Sequence, residues 1–498
     1  MMSDDPEAPV SRGEEQKIAQ GRHRCIVLGL LFIAACAIAA IVLPLVLKDD
    51  CNCTTNRDIE TSPPAPVEPT LSPAPTASNP PASEPTKSPA PTPVATSERM
   101  NQLIEQYLGP ISGQEVFQDP STPQYQAAQF IADEDQVSSQ LTNVDQVGDR
   151  YALATFYYAM DGDNSWFSCF KGDKNCTTGN SWMDPQVNHC EWSAINCNND
   201  GRVVDLFFAT TDGNGLVGTI PPEISQLSEM QNFVAMNNLI SGSFPDTFSQ
   251  MRNLKRVVLP TNVMTGTLPD GFLGNTPLEL LILNNNKLSG GIPKTFGDIT
   301  TMTQLSLGNN RFDGSIPSEL SSLELLGTLD LSKNDRLRGA IPDSIFTLSN
   351  LENLLLDGSQ NIKGQIGSRI GGLTSLGVLR LGGTGMGGTL PAALFNLTNL
   401  SELDLKGAEF SGTLSEDFSK LAGSLQILKL SNNTFSGDIP AAFDSLVLLT
   451  DLELEGNNIT GEISSTICSR RGSGRGELNN LTVDCTEVTC DCCTNCKS

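Results

Sequence analysis

"LRLGGTGMGGTLP", residues 379–391, admits two readings, and the choice between them decides the fold. Gly383, Gly385 and Gly388 have the spacing of a phosphate-cradling loop, and a strand-like run precedes them. Glu402 and Asp404 follow at about the distance where a dinucleotide fold places its ribose-binding acid. In the second reading the same letters are one turn of a repeat. Gly388 then sits at a bend, and "GTLP" is a variant of the "GTIP" at 218–221.

The chain around this stretch decides for the repeat. From residue 203 a unit LxxLxLxxNxLxGxIP recurs, its first position filled by Val203, Met230, Leu254, Leu278, Met302, Leu326, Leu351, Leu376, Leu400, Leu425 and Leu449. After the first unit the steps are 24 or 25 residues, a period that signals a leucine-rich-repeat solenoid. Each position has a physical task. Leucines at the fourth and sixth places, such as Leu305 and Leu307, point inward from a short strand. Asparagines at the ninth, from Asn238 to Asn457, satisfy buried backbone groups where the chain turns. One unit cannot bury its own leucines, but stacked neighbours can. Pro391 stands where the nucleotide reading needs a helix to begin, and Glu402 and Asp404 fall in the strand of the next coil. The nucleotide reading is therefore rejected.

Before the repeats, the chain changes character several times. Residues 25–47, "CIVLGLLFIAACAIAAIVLPLVL", carry no charge and as a helix would rise roughly 34 Å, enough to cross a bilayer core. Arg12, Lys17, Arg22 and Arg24 precede this run, whereas acids crowd the residues after it. The expectation is a single-pass signal anchor in the plasma membrane, with residues 1–24 cytoplasmic and the C-terminal ectodomain extracellular. The alternative is a cleaved secretory signal. Residues 61–97 are rich in proline, serine and threonine and too poor in apolar side chains to form a core, and residues 48–98 read as a disordered stalk. Residues 124–136 and 148–160 read as helices, the second with Leu153, Phe156, Tyr157 and Met160 on one face. The expected domains are thus 1–24, 25–47, 48–98, a helical cap at 99–202, repeats at 203–465 and a cysteine-rich cap at 466–498.

Formal net charge is −26, so nucleic acid and anionic lipid surfaces are discounted as partners. Most of the 14 cysteines follow the apolar run, as expected in an oxidising compartment. N-glycosylation sequons lie at Asn52, Asn175, Asn396, Asn399, Asn432, Asn458 and Asn480. Inter-chain bonds through Cys51 and Cys53 would make a disulfide-linked homodimer. The C-terminal cysteines are expected to form disulfides rather than a metal cluster, with their pairing open among fifteen arrangements.

The G-x-I-P units "LSGGIPKTFG", "FDGSIPSEL" and "FSGDIPAAF" resemble the plant-type extracellular leucine-rich repeat of receptor-like proteins, receptor-like kinases and polygalacturonase-inhibiting proteins. "HCEWSAINC" resembles their N-terminal cap, in which paired cysteines flank a tryptophan. That match implies a bond between Cys190 and Cys197, with Cys169 and Cys176 as a second pair at the same spacing. The layout, with an N-terminal anchor and a cysteine-dense end, is similar to signal-anchored leucine-rich-repeat proteins of diatoms. The implied fold is α/β, a right-handed leucine-rich-repeat solenoid of about 11 coils, with a helical, disulfide-closed N-cap and a Cys-rich C-cap.

No catalytic constellation, metal set or cofactor motif is found, so the chain is expected to bind rather than catalyse. The outward strand positions of a solenoid line its concave face. In coils two to four Met236, Val258 and Ile282 are apolar beside Arg256. Coils eight to eleven present Arg380, Glu402, Asp404, Lys429, Asp451, Glu453 and Glu455. The expected face is an apolar docking patch followed by an acidic one that selects a basic or polyhydroxylated ligand. The expected partners are an extracellular protein, peptide or polysaccharide ligand, and a membrane co-receptor or kinase that relays the signal. Adhesion to the cell wall is the alternative, or a secreted inhibitor if the anchor is cleaved.

Overall fold

The computed structural model describes residues 97–138, 144–176, 179–208, 213–268, 270–271, 276–471 and 477–497. The apolar run 25–47, the stalk with Cys51 and Cys53, and Asn52 lie outside the described residues. Among the described residues no helix is long and apolar enough to cross a membrane.

The repeat folds as its spacing predicts. Each coil gives one three- to five-residue strand, and these line up as a 14-stranded sheet running from Ile195–Cys197 to Asn495–Lys497. The first pair is antiparallel, Ile195–Cys197 against Val203–Phe207, and every later pair is parallel. Inward leucines stack in register, as Leu305, Leu329, Leu354 and Leu379 do, all fully buried. The ladder extends beyond the eleven units read from the sequence. Asn480–Asp484 and Asn495–Lys497 add two more parallel strands from the cysteine-rich end; the first keeps the signature as Leu478, Leu481 and Val483, all buried, and the second lacks it.

Asparagines form the expected second ladder. Asn310 accepts the Leu288 amide at 3.0 Å, and its side-chain nitrogen donates to the Leu283 and Leu307 carbonyls, each at 3.0 Å. Asn262, Asn286, Asn334, Asn433 and Asn457 repeat the pattern. After this turn a second row of short strands forms along one flank of the solenoid. The bend that follows needs a left-handed residue, and Gly388 supplies it at φ +83°. The glycines of the opening stretch are thus part of a flank strand, Gly385–Gly388, followed by the 3-10 turn Ala392–Asn396 rather than a phosphate-binding helix. On the convex side such 3-10 turns stack Phe395, Phe418 and Phe443 edge to face at 4.9 and 5.1 Å.

The N-terminal cap closes the open end of the core. Its main helix, Val144–Ala159, starts before residue 148, and the other predicted helix is α-helical over Pro123–Gln129 and π-helical over Phe130–Glu134. Phe156 packs on Phe208 and Phe233 of the first coils and on Trp182. Arg150, fully buried, is held by Asp135 through two 2.7 Å contacts, with its guanidinium 4.5 Å from the Trp192 ring. Disulfides join Cys169 to Cys176 and Cys190 to Cys197. At the other end Cys468 joins Cys492, Cys490 joins Cys493, and Cys485 is also disulfide-bonded.

Candidate binding face

Period-2 alternation turns the third and fifth residues of every coil toward the concave face, and parallel register brings like positions side by side. At the fifth place Phe207, Val234, Val258 and Ile282 are direct partners on successive strands. This apolar row is less open than its letters suggest. Val234 and Ile282 are only 6% and 8% exposed, because neighbours on adjoining coils cover them. Phe207, in the first coil, is 44% exposed and is the row's most accessible member. The sequence reading passed over it by beginning at coil two. Met236 and Val258 are half-buried, and Arg256 is exposed and 3.4 Å from Glu279.

Farther along, the face becomes charged, but not as the simple acidic patch that was expected. Arg380 binds Glu402 in a fork, Nε at 2.7 Å and Nη2 at 3.0 Å. Lys406 reaches across two coils to Glu453 at 2.6 Å, and Lys429 lies 3.6 Å from both Asp451 and Glu453. Glu455 bonds to the Thr482 hydroxyl. Glu402, Glu453 and Glu455 are therefore buried and engaged within the protein. They fix the positions of the cations rather than wait for a basic ligand.

Asp357 and Asp404 remain partly open near Arg380, and Asp330 is partly open beside Asp357. Asp330 and Asp357 belong to coils six and seven, outside the positions singled out from the sequence. The fold makes specific room for two of them. A Cβ on Gly308 would stand 2.7 Å from an Asp330 oxygen, and one on Gly382 would stand 2.8 Å from Asp404 Oδ1. Asp330 accepts from the Ser332 amide at 3.0 Å and hydroxyl at 2.6 Å, and Asp404 from the Lys406 amide at 3.0 Å. Burial raises the Asp357 carboxyl above its ordinary range. Arg380 opposes this, while Asp330 and Asp404 reinforce it. Burial raises Asp404 as well, against the Lys406 amide and Lys429. Bonding to Glu402 and Glu453 holds Arg380 and Lys406 more firmly protonated.

The face thus presents an apolar row in its first four coils and, beyond Ser306, Asp330 and Leu355, a guanidinium fixed in place with Asp357 and Asp404 beside it. Such an arrangement can seat an extended chain, placing an apolar side chain near Phe207 and a polar or charged group near Arg380. His189 lies beside Cys190 and Cys197, but the two sulfurs are bonded to each other and so offer no thiolate to a metal.

Of the sequons, Asn175, Asn396, Asn399, Asn432 and Asn458 are exposed. Asn480 is half-buried and donates to Asp451 at 2.9 Å from within a concave strand.

Comparison with known proteins agrees with this architecture. A leucine-rich-repeat family model matches residues 277–299, 301–323 and 424–446. A probable leucine-rich repeat receptor-like protein kinase of Arabidopsis thaliana is 36% identical over 90 residues, 18% of this chain and 9% of that protein. The Arabidopsis receptor kinase HAESA, solved in complex with the peptide hormone IDA and the co-receptor SERK1, superposes with a TM-score of 0.57 at 26% identity, over 68% of this chain and 53% of that one. The HAESA ectodomain with an N-terminally extended IDA peptide gives 0.53 at 28% identity, over 60% and 48%. The chain thus spans about half of these ectodomain structures and a small part of the curated relative. Its G-x-I-P coils, asparagine ladder and Cys–Trp–Cys cap, together with these likenesses, show a leucine-rich-repeat solenoid similar to those of plant extracellular receptors.

Proposed function

We propose that this protein is a cell-surface, receptor-like recognition protein that binds an extracellular peptide along its concave face. In this reading the 25–47 segment anchors it in the plasma membrane with the N-terminus inside. The signal passes through a membrane co-receptor or kinase. The observation that carries the reading is the unbroken register of fifth-place residues from Phe207 through Val258 to Arg380, with the guanidinium held in place by Glu402. A fixed donor and a pre-formed apolar row lower the ordering cost of binding an extended chain. The HAESA ectodomains, which bind the peptide hormone IDA, add support by similarity of fold.

The test is site-specific photocross-linking with the full chain in its own cells. A photoreactive residue at Val258 should capture an extracellular peptide, and one at exposed Ser322 on the convex side should not. Equal capture at both sites, or none at Val258, would overturn the reading.

A further inference from the structure

We propose that one flank of the solenoid, carrying Lys287, Arg311, Arg336, Arg338 and Lys363, binds a linear acidic polysaccharide. The proposal is independent of the concave face. These five side chains belong to four successive coils and follow the asparagine turn. Each stands next to a buried residue of the flank strands, Leu288, Phe312, Leu337 or Ile362, and alternation sends it outward. The strands Ser289–Gly291, Arg311–Gly314 and Arg336–Leu337 are paired in parallel, and a bridge from Gly339 to Ile362 continues the row to Lys363. All five are exposed.

Their lack of partners distinguishes them. Arg256, Lys294, Arg369, Arg380, Lys406, Lys420 and Lys429 all make ion pairs. Among the described residues from 256 to 429, the cations without an ion pair are these five and Lys333 on the adjoining lip. Asp313 and Asp335 are the acids in the same window, so it stays positive on a chain whose net charge is −26. Like charges on neighbouring strands repel, and Asp313, the register partner of Arg336, and Asp335 offset only part of that here. An external anion would offset the rest.

The shape of the surface selects the kind of anion. The flank strands form a regular row with a coil spacing of about 4.8 Å. A stiff polymer with a charge on each unit can lie along such a row at little ordering cost, whereas a disordered acidic peptide would lose far more freedom. An anionic bilayer is a poorer fit, because the acidic remainder of the molecule would be drawn toward it within a few Debye lengths. Arginine forks match carboxylate and sulfate oxygens, and exposed Thr265 and Thr267 on the preceding coil can bond to sugar hydroxyls. No sequon falls between residues 203 and 395, so none of the predicted glycans is attached in these coils.

The experiment uses the full chain in non-ionic detergent with fluorescent polygalacturonate, dextran sulfate and neutral dextran, read by anisotropy between 50 and 400 mM NaCl. Anionic phosphatidylserine vesicles form a fourth arm. The expected result is salt-sensitive binding of one or both acidic polymers and none of dextran. Polygalacturonate alone would assign carboxylate chemistry, and dextran sulfate alone would assign sulfate. Combining Lys287→Gln, Arg311→Gln and Arg336→Gln should weaken binding at least tenfold. Arg252→Gln with Lys255→Gln, cations without ion pairs away from this flank, should change it less than twofold. Should the triple variant fail to fold, Arg338→Gln with Lys363→Gln makes the same test at the other end of the row. Absence of binding to either acidic polymer at 50 mM NaCl, equal loss in both sets of variants, or binding to vesicles alone would overturn the proposal.

Discussion

Arg380 and Glu402 stand on adjacent coils and share two hydrogen bonds, so the charged part of the concave face is fixed before any ligand arrives. The Arg380 side chain is 42% exposed and that of Glu402 only 11%. Removing the arginine therefore costs more than removing an exposed partner would, because a nearly buried carboxylate is left without its donor. Arg380→Gln should destabilise the fold by about 2 kcal/mol. It should also abolish peptide capture at Val258. Glu402→Gln keeps an acceptor beside the guanidinium and should cost less than half as much. Urea unfolding of the three proteins checks the order, and equal stabilities would show that the fork is only a surface contact.

The asparagine ladder makes a sharper prediction. Asn310 satisfies one amide and two carbonyls that no water can reach. Asn310→Ala should cost about 2–4 kcal/mol, far more than its side-chain volume would suggest. Glu324→Ala, at an exposed position of the adjoining coil, should cost well under 1 kcal/mol. A difference below 1 kcal/mol between the two variants would mean that the ladder is not a main support of the coil.

The sequence made the solenoid legible because its leucine, asparagine and glycine positions carry fixed physical tasks at a fixed period. Strand Asn480–Asp484 was legible in its letters, since Leu478, Leu481 and Val483 repeat the leucine spacing, but it follows Leu449 by a 29-residue step that breaks the 24- or 25-residue period. Strand Asn495–Lys497 was not legible, because it carries no leucine. The concave face was legible in position but not in exposure. Period-2 alternation put Glu402, Glu453 and Glu455 on the correct face, yet it could not say that Arg380, Lys406 and Thr482 would reach them from other coils. Phe207 could have been found by extending the fifth-place row one coil back. Asp357 could not, because what sets it apart is burial beside Asp330 and Asp404.

Asp357 gives a pH signature of its own. Its carboxyl is raised, chiefly by burial, so the folded protein holds its proton more tightly than the unfolded chain does. The charged form is therefore a cost to the fold at neutral pH. That cost falls away as pH drops through the raised value and toward the ordinary 3.8. Asp357→Asn should accordingly be more stable than the parent at pH 7, and the gain should have vanished near pH 3.5. Chemical denaturation at the two pH values tests this, and a gain that persists unchanged in acid would exclude titration of Asp357 as its source.

His189 predicts the opposite trend in the cap. It is fully buried beside the Cys190–Cys197 disulfide, and burial lowers it to about 4, with the Arg150 cation adding to the effect and the Gly201 carbonyl and Asp135 opposing it. The unfolded chain takes up this proton from about pH 6.5 downward, whereas the folded cap refuses it until about 4. The stability that rests on a neutral His189 is thus fully present above 6.5 and is lost as pH falls toward 4, by on the order of 3 kcal/mol. His189→Phe removes the titration while keeping an aromatic ring in the site. Its stability should decline less steeply than the parent's between pH 6.5 and 4, and limited proteolysis should show the parent cap opening first in acid. If the two proteins lose stability in parallel across that window, the acid sensitivity arises from another group than His189.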